Sequence, residues 1–157
     1  MRIPIVVALL LCLVGCDDLN LSLDSGEVGW ALKKEIRDKK SRVVSIVRLT
    51  RFEWDELFLF PPYEPKNDIC KRLALTPEEC KNTITLESSD DSQMLMVFRN
   101  KGKVVHTEIH IRRNGDFIPV PDTPFTPSTA VFNVVVEGNS SQNWFRLIPQ
   151  DISHMKP

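Results

Sequence analysis

The 157-residue chain has few of the features by which an enzyme is recognised from its sequence. It contains only six glycines, and none of them belongs to a Gly-x-Ser-x-Gly, P-loop or Gly-x-Gly-x-x-Gly arrangement. Its three histidines and four cysteines form neither a His-Glu-x-x-His nor a Cys-x-x-Cys motif. These absences exclude the nucleotide-binding and hydrolase classes that carry such motifs. A catalytic group assembled in space leaves no motif, so a hydrolase remains an alternative.

The chain also lacks a charge excess and a long apolar run. Lys+Arg number 20 against 21 Asp+Glu, which gives no electrostatic reason to expect binding to nucleic acid or to anionic lipid. The longest apolar run, Ile3 to Leu13, has 11 residues, whereas a helix needs about 20 to cross a bilayer. We therefore expect no permanent transmembrane anchor.

What the N-terminus does contain is the order of a secretory signal. Arg2 precedes the apolar run, and the small residue Gly15 stands before Cys16. The tetrad Leu13-Val14-Gly15-Cys16 resembles the lipobox of bacterial lipoproteins. The resemblance implies a diacylglyceryl group on the Cys16 thiol, cleavage after Gly15 and acylation of the new amine by a fatty acid such as palmitate. An ordinary cleaved signal, with an incidental Cys16, is the alternative.

This resemblance divides the chain and gives it a location. We expect residues 1–15 to be a cleaved signal peptide, residues 16–25 the lipidated cysteine with its tether, and residues 26–157 one globular domain. The membrane would then be a partner through the lipid on Cys16, in the cell envelope, facing the periplasm or the cell exterior. Asp17 resembles an inner-membrane retention signal, which slightly favours the inner membrane.

Two cysteines remain beyond the signal, Cys70 and Cys80. In an exported domain they are expected to form one disulfide, because the space outside the cytoplasm is oxidising. No cofactor and no metal site follow from them, since two cysteines alone do not hold zinc.

The hydrophobic pattern predicts an α+β fold with a single antiparallel sheet of five to seven strands. Helical spacing of apolar residues predicts an N-terminal helix over 27–39, and Thr76 with Glu79 forms a capping box before a short helix that the disulfide pins. Alternating or β-branched segments predict the strands, and Asn114-Gly115 predicts a hairpin turn.

One predicted strand carries the chain's single polar constellation: His106, Glu108, His110 and Arg112 alternate with apolar residues and so share one face. Two imidazoles and a carboxylate suit zinc, but along a strand His106 and His110 lie about 13 Å apart, too far for one ion. We interpret this face as a possible interaction surface. A metal held by one histidine with residues from elsewhere is the alternative.

Aromatic residues concentrate in the segment from Phe52 to Tyr63. Trp54, Phe58, Phe60 and Tyr63 could form a ligand-binding surface or simply belong to the core. The order Phe-x-Trp-Asp-x-Leu, an apolar strand, Pro-Tyr-x-Pro and a later Gly-Asp-Phe resembles a set of small, uncharacterised exported bacterial lipoproteins. That resemblance, over about residues 50–117, supports a fold more than a function.

The sequence therefore predicts a membrane-anchored envelope lipoprotein whose domain binds a partner such as an envelope protein and does not bind nucleic acid. A small-ligand carrier and a periplasmic hydrolase without a recognisable motif are the alternatives.

Overall fold

A computed structural model describes residues 25–138 and 143–151. Its helices are α1 (Glu27–Lys33), which continues as a π-helical turn over Lys34–Asp38, α2 (Lys66–Arg72) and α3 (Pro77–Thr83). Its strands are β1 (Val43–Ser45), β2 (Glu56–Phe60), β3 (Gln93–Asn100), β4 (Lys103–Ile111), β5 (Asp116–Phe117), β6 (Val131–Glu137) and β7 (Trp144–Pro149). Two 3₁₀ turns lie at Ile46–Arg48 and Arg112–Asn114.

The prediction of a single antiparallel sheet is wrong, because the strands form two sheets. One has three antiparallel strands in the order β2-β3-β4, and the other has four strands in the order β1-β6-β7-β5. The four-stranded sheet is mixed, since β5 pairs with β7 in parallel. The α+β class itself is confirmed.

The chain passes from one sheet to the other at Asn114-Gly115, where the sequence predicts a hairpin. Gly115 has φ 147°, a conformation that side-chain-bearing residues rarely adopt. The space is also closed, because an added Cβ would lie 2.9 Å from Leu147 and 3.0 Å from Ile36. Asn114-Gly115 is therefore a turn, as predicted, but it does not form a hairpin, because the strand that follows it, β5, pairs with β7 and not with β4.

Apolar side chains from both sheets and from α1 share one main core. Leu57, Met96 and Phe98 enter it from the three-stranded sheet, and Phe132 and Leu147 enter it from the four-stranded sheet. On the α1 side, three residues at helical spacing are buried in this core: Val28, Leu32 and Ile36. The predicted amphipathic N-terminal helix is thus confirmed.

A second core covers the opposite face of the three-stranded sheet. Phe58 and Phe60 of β2 pack there with Ile69 and Leu73, which belong to or follow α2. Both faces of β2 are therefore buried, although β2 lies at the edge of its sheet.

The Cys70–Cys80 disulfide is confirmed and joins α2 to α3, with Cα atoms 5.6 Å apart. The capping box is present too, since Thr76 accepts from the Glu79 N–H and the Glu79 side chain accepts from the Thr76 N–H. No helix among the described residues is long and apolar enough to cross a membrane.

Candidate functional site

The polar face of β4 is turned towards the interior. His106, Glu108 and His110 stand opposite Phe98, Met96 and Met94 of β3. Residues paired across an antiparallel ladder share a face, so the polar residues continue the β3 surface that bounds the main core. Helix α1 covers them, and Glu108 and His110 are 3% and 0% exposed.

Glu108 closes the N-terminus of α1. One carboxylate oxygen accepts from the Val28 N–H at 3.1 Å, and the other accepts from the Gly29 N–H at 2.8 Å. The first-turn N–H groups of a helix have no partner within the helix, and its N-terminus carries partial positive charge. The N-cap residue, Gly26, has no side chain to offer, so a residue about 80 positions away supplies the cap. Asp24 stands three residues before Glu27, the spacing of a capping box, and so predicts a cap for this helix, but Asp24 lies outside the described residues.

Two glycines permit this close approach. A Cβ added at Gly26 would collide with the Glu108 side chain, and one added at Gly29 would lie 2.8 Å from His110 Nδ1. The helix backbone therefore rests directly on the polar face of β4. The Gly-x-x-Gly spacing at 26–29 is the sequence signal for this contact.

His106 makes the third contact to the Glu108 carboxylate, on the side that faces solvent. Its Nε2 lies 2.8 Å from Glu108 Oε2, and its ring centroid lies 4.7 Å from that of Phe52. The side chain is 25% exposed, so it forms the boundary between the network and solvent. With two backbone donors and one imidazole, both oxygens of Glu108 are engaged.

His110 lies deeper and is fully enclosed. Its Nε2–H donates to the Gly115 carbonyl at 2.6 Å, and its Nδ1 has no hydrogen-bond partner within the described part of the chain. Burial lowers the pKa of His110 below its ordinary value, against the opposing effects of the Gly115 carbonyl, Glu108 and Asp116. The residue is therefore neutral near pH 7, with the proton on Nε2.

The network continues into the turn between the sheets. Arg112 donates to both carboxylate oxygens of Asp116, and Trp144 Nε1–H donates to Asp116 at 3.0 Å. Asn114 donates to Ser25 Oγ at 2.8 Å, which ties the residue before Gly26 to the same turn. These contacts join α1, β4, β5 and β7.

Chemically, this arrangement holds the fold together and offers little for catalysis. A general base must reach a substrate proton, but both oxygens of the buried Glu108 already accept from the backbone of α1, and Nδ1 of His110 faces the backbone of Gly29. Within residues 25–138 and 143–151, no group of three His, Cys, Asp or Glu side chains is placed to hold a metal ion.

The four aromatic candidates are divided among three environments. Trp54 is 7% exposed and packs edge-on against Phe98 in the main core, while Phe58 and Phe60 belong to the second core. Tyr63, in contrast to these three buried side chains, is 59% exposed. They do not form one open aromatic surface. Cys16 lies outside the described residues.

An open groove between α1 and β1 is the feature that the sequence interpretation missed. It has a volume of about 930 Å³, and its lining includes Trp30, Val43, four cationic and two anionic side chains. One of those anions, Glu35, is bound by Lys39 at 2.8 Å and by Ser41 at 2.7 Å, which lowers its pKa below the ordinary value. β1 is an edge strand, so the backbone of Val43 and Ser45 has no strand partner on the groove side among the residues that the structure describes.

Comparison with known proteins yields no relative: no protein family, no curated protein and no solved structure matches the chain.

Proposed function

We propose that this chain is a lipid-anchored protein of the bacterial cell envelope whose domain works as a binding module. The observation that carries the proposal is the Leu13-Val14-Gly15-Cys16 tetrad behind Arg2 and an 11-residue apolar run. The Cys70–Cys80 disulfide supports it, because disulfides persist in oxidising compartments such as the periplasm.

Binding is favoured over catalysis by the use that the fold makes of its polar residues. Glu108 and His110, the best candidates for acid–base chemistry, are buried under α1 and hold the helix in place. The α1–β1 groove, in contrast, is open and lined by exposed cationic and apolar side chains. We therefore assign the binding role to the groove.

Metabolic labelling with an alkynyl palmitate tests the anchor. We expect the chain to take up the label and Cys16→Ala to lose it, because the thiol that starts the modification is gone. Cys12→Ala is the matched control, since it removes a thiol from the signal and leaves Cys16 in place. Equal labelling of the two variants would contradict the anchor.

Photocrosslinking in cells tests the groove. A photoreactive residue at Val43 lies in the groove. One at Lys71 is exposed to solvent on α2, the helix that packs on the second core. We expect a defined adduct from position 43 and none from position 71. The same adducts from both positions, or none from position 43, would refute the assignment of the groove.

A further inference from the structure

The charge of the chain is nearly balanced overall but not locally. Between Lys33 and Arg51 there are eight lysines and arginines against two acidic residues, a net charge of +6, so the rest of the chain carries −7. This segment spans the end of α1, the strand β1 and the turn after it. This segment of the chain is therefore strongly cationic.

Six of these cations are exposed, and four of them line the groove beside exposed apolar side chains. Trp30, Val43 and Val47 are 39%, 48% and 44% exposed, and the Lys34 ammonium lies 3.8 Å from the centre of the Trp30 ring system. We call this surface the basic face; it contains the groove, and its exposed cations are Lys34, Lys39, Arg48 and Arg51, whereas Lys40 and Arg42 line a second pocket.

The basic face lies next to the point where the chain comes from its proposed anchor. Ser25, the first described residue, lines the groove, and it is nine residues from Cys16. Even a fully extended tether of that length spans only about 30 Å. A lipid on Cys16 would thus hold this part of the domain close to the bilayer surface.

We propose that the basic face docks on the anionic phospholipid headgroups of the membrane to which the chain is anchored. Lysine and arginine pair with lipid phosphates, and tryptophan prefers the membrane–water interface, where its ring is partly buried and its N–H remains hydrated. Because the anchor makes docking intramolecular, individually weak contacts suffice. The inference rests on the proposed function and names the partner of the groove.

Fluorescence quenching by brominated phospholipid tests the docking. The lipidated chain is reconstituted into brominated phosphatidylcholine vesicles with or without phosphatidylglycerol, and tryptophan emission is measured. We expect stronger quenching in the anionic vesicles. We expect Trp30→Phe to remove the difference, because Trp54 is buried in the main core and the half-buried Trp144 is not part of the groove and donates to Asp116.

Charge variants decide whether the cations cause the docking. Arg48→Gln with Arg51→Gln removes two cations of the groove lining, which should lower the docking constant about 30-fold and abolish the extra quenching. Lys71→Gln with Lys81→Gln removes two exposed cations from α2 and α3 and should leave the quenching unchanged.

Three results would overturn the inference. Equal quenching in neutral and anionic vesicles excludes headgroup recognition, and equal effects of the two charge variants exclude a defined face. Saturable binding of poly-glutamate with no response to anionic vesicles would assign the face to an acidic protein partner. Failure of the palmitate labelling would refute the anchor but not the docking. The docking would then be measured separately, by adding the same vesicles to the unlipidated chain.

Discussion

Glu108→Gln is the substitution that tests the interior of this structure most sharply. It keeps the size and shape of the side chain but replaces one carboxylate oxygen by an amide NH₂ group. In the native protein the two oxygens accept separately from the Val28 and Gly29 N–H groups, and His106 bonds to the first of them. An amide has one accepting oxygen, so one of the two helix N–H groups must face a donor.

The expected cost follows from burial. Glu108 is 3% exposed, so water cannot replace the lost acceptor without opening the contact between α1 and β4. Leaving a buried donor unsatisfied costs about 1–3 kcal/mol, and the remaining bond weakens when its acceptor is no longer charged. We expect the free energy of unfolding to fall by about 2–4 kcal/mol.

Urea denaturation at pH 7 measures this change, with Glu87→Gln as the matched control. Glu87 is exposed, so the same chemical substitution there should alter the stability by less than about 0.5 kcal/mol. If Glu108→Gln is as mild as Glu87→Gln, the carboxylate does not cap α1 in solution and the proposed packing of α1 on β4 is wrong.

Three further changes test other parts of the account by denaturation. Gly29→Ala should destabilise in spite of the roughly 1 kcal/mol gain in helix propensity, because its Cβ would lie 2.8 Å from His110 Nδ1; a net gain of stability would contradict the close approach. Replacing Cys70 and Cys80 together by alanine should cost about 2–3 kcal/mol for the ten-residue loop that they close, and an unchanged midpoint would contradict this. Below about pH 6.5 the unfolded chain protonates His110 while the folded chain, with its lowered pKa, does not, so stability should fall by up to about 1.4 kcal/mol per pH unit from this residue. His110→Gln should remove that part of the slope, and an unchanged slope would refute it.

The local structure of this chain could largely be predicted from its sequence. The apolar spacing of Val28, Leu32 and Ile36 predicts α1, the Thr76–Glu79 capping box predicts α3, and alternation predicts β4. Each of these signals depends on residues close in the chain, which is why each is readable. The Cys70–Cys80 pairing was also accessible, because only two cysteines follow Cys16.

The division into two sheets could not be predicted in the same way. Asn114-Gly115 marks a turn, but whether the next strand returns to β4 or crosses to β7 depends on contacts made across the fold, such as Leu147 and Ile36 against Gly115. A two-residue strand such as β5 also has too few residues to show a pattern of its own.

The environment of Glu108 and His110 was hidden for a related reason. Alternation along β4 shows that its two faces differ, but not that a helix from the start of the domain covers the polar one. A relevant signal lies in the neighbouring strand: Met94 to Phe98 is continuously apolar, as expected for a sheet buried on both faces. The basic face could not be recognised from the net charge of the whole chain, because the positive charge of residues 33–51 is cancelled by the negative charge of the other residues.

The central claim is that Cys16 begins the mature protein and holds it on the membrane. Intact-mass spectrometry of the protein purified from the membranes of its own host tests this most directly. The account predicts a chain that starts at Cys16 and carries a diacylglyceryl group and an N-acyl chain. An unmodified chain, or one that starts at any other residue, would contradict it.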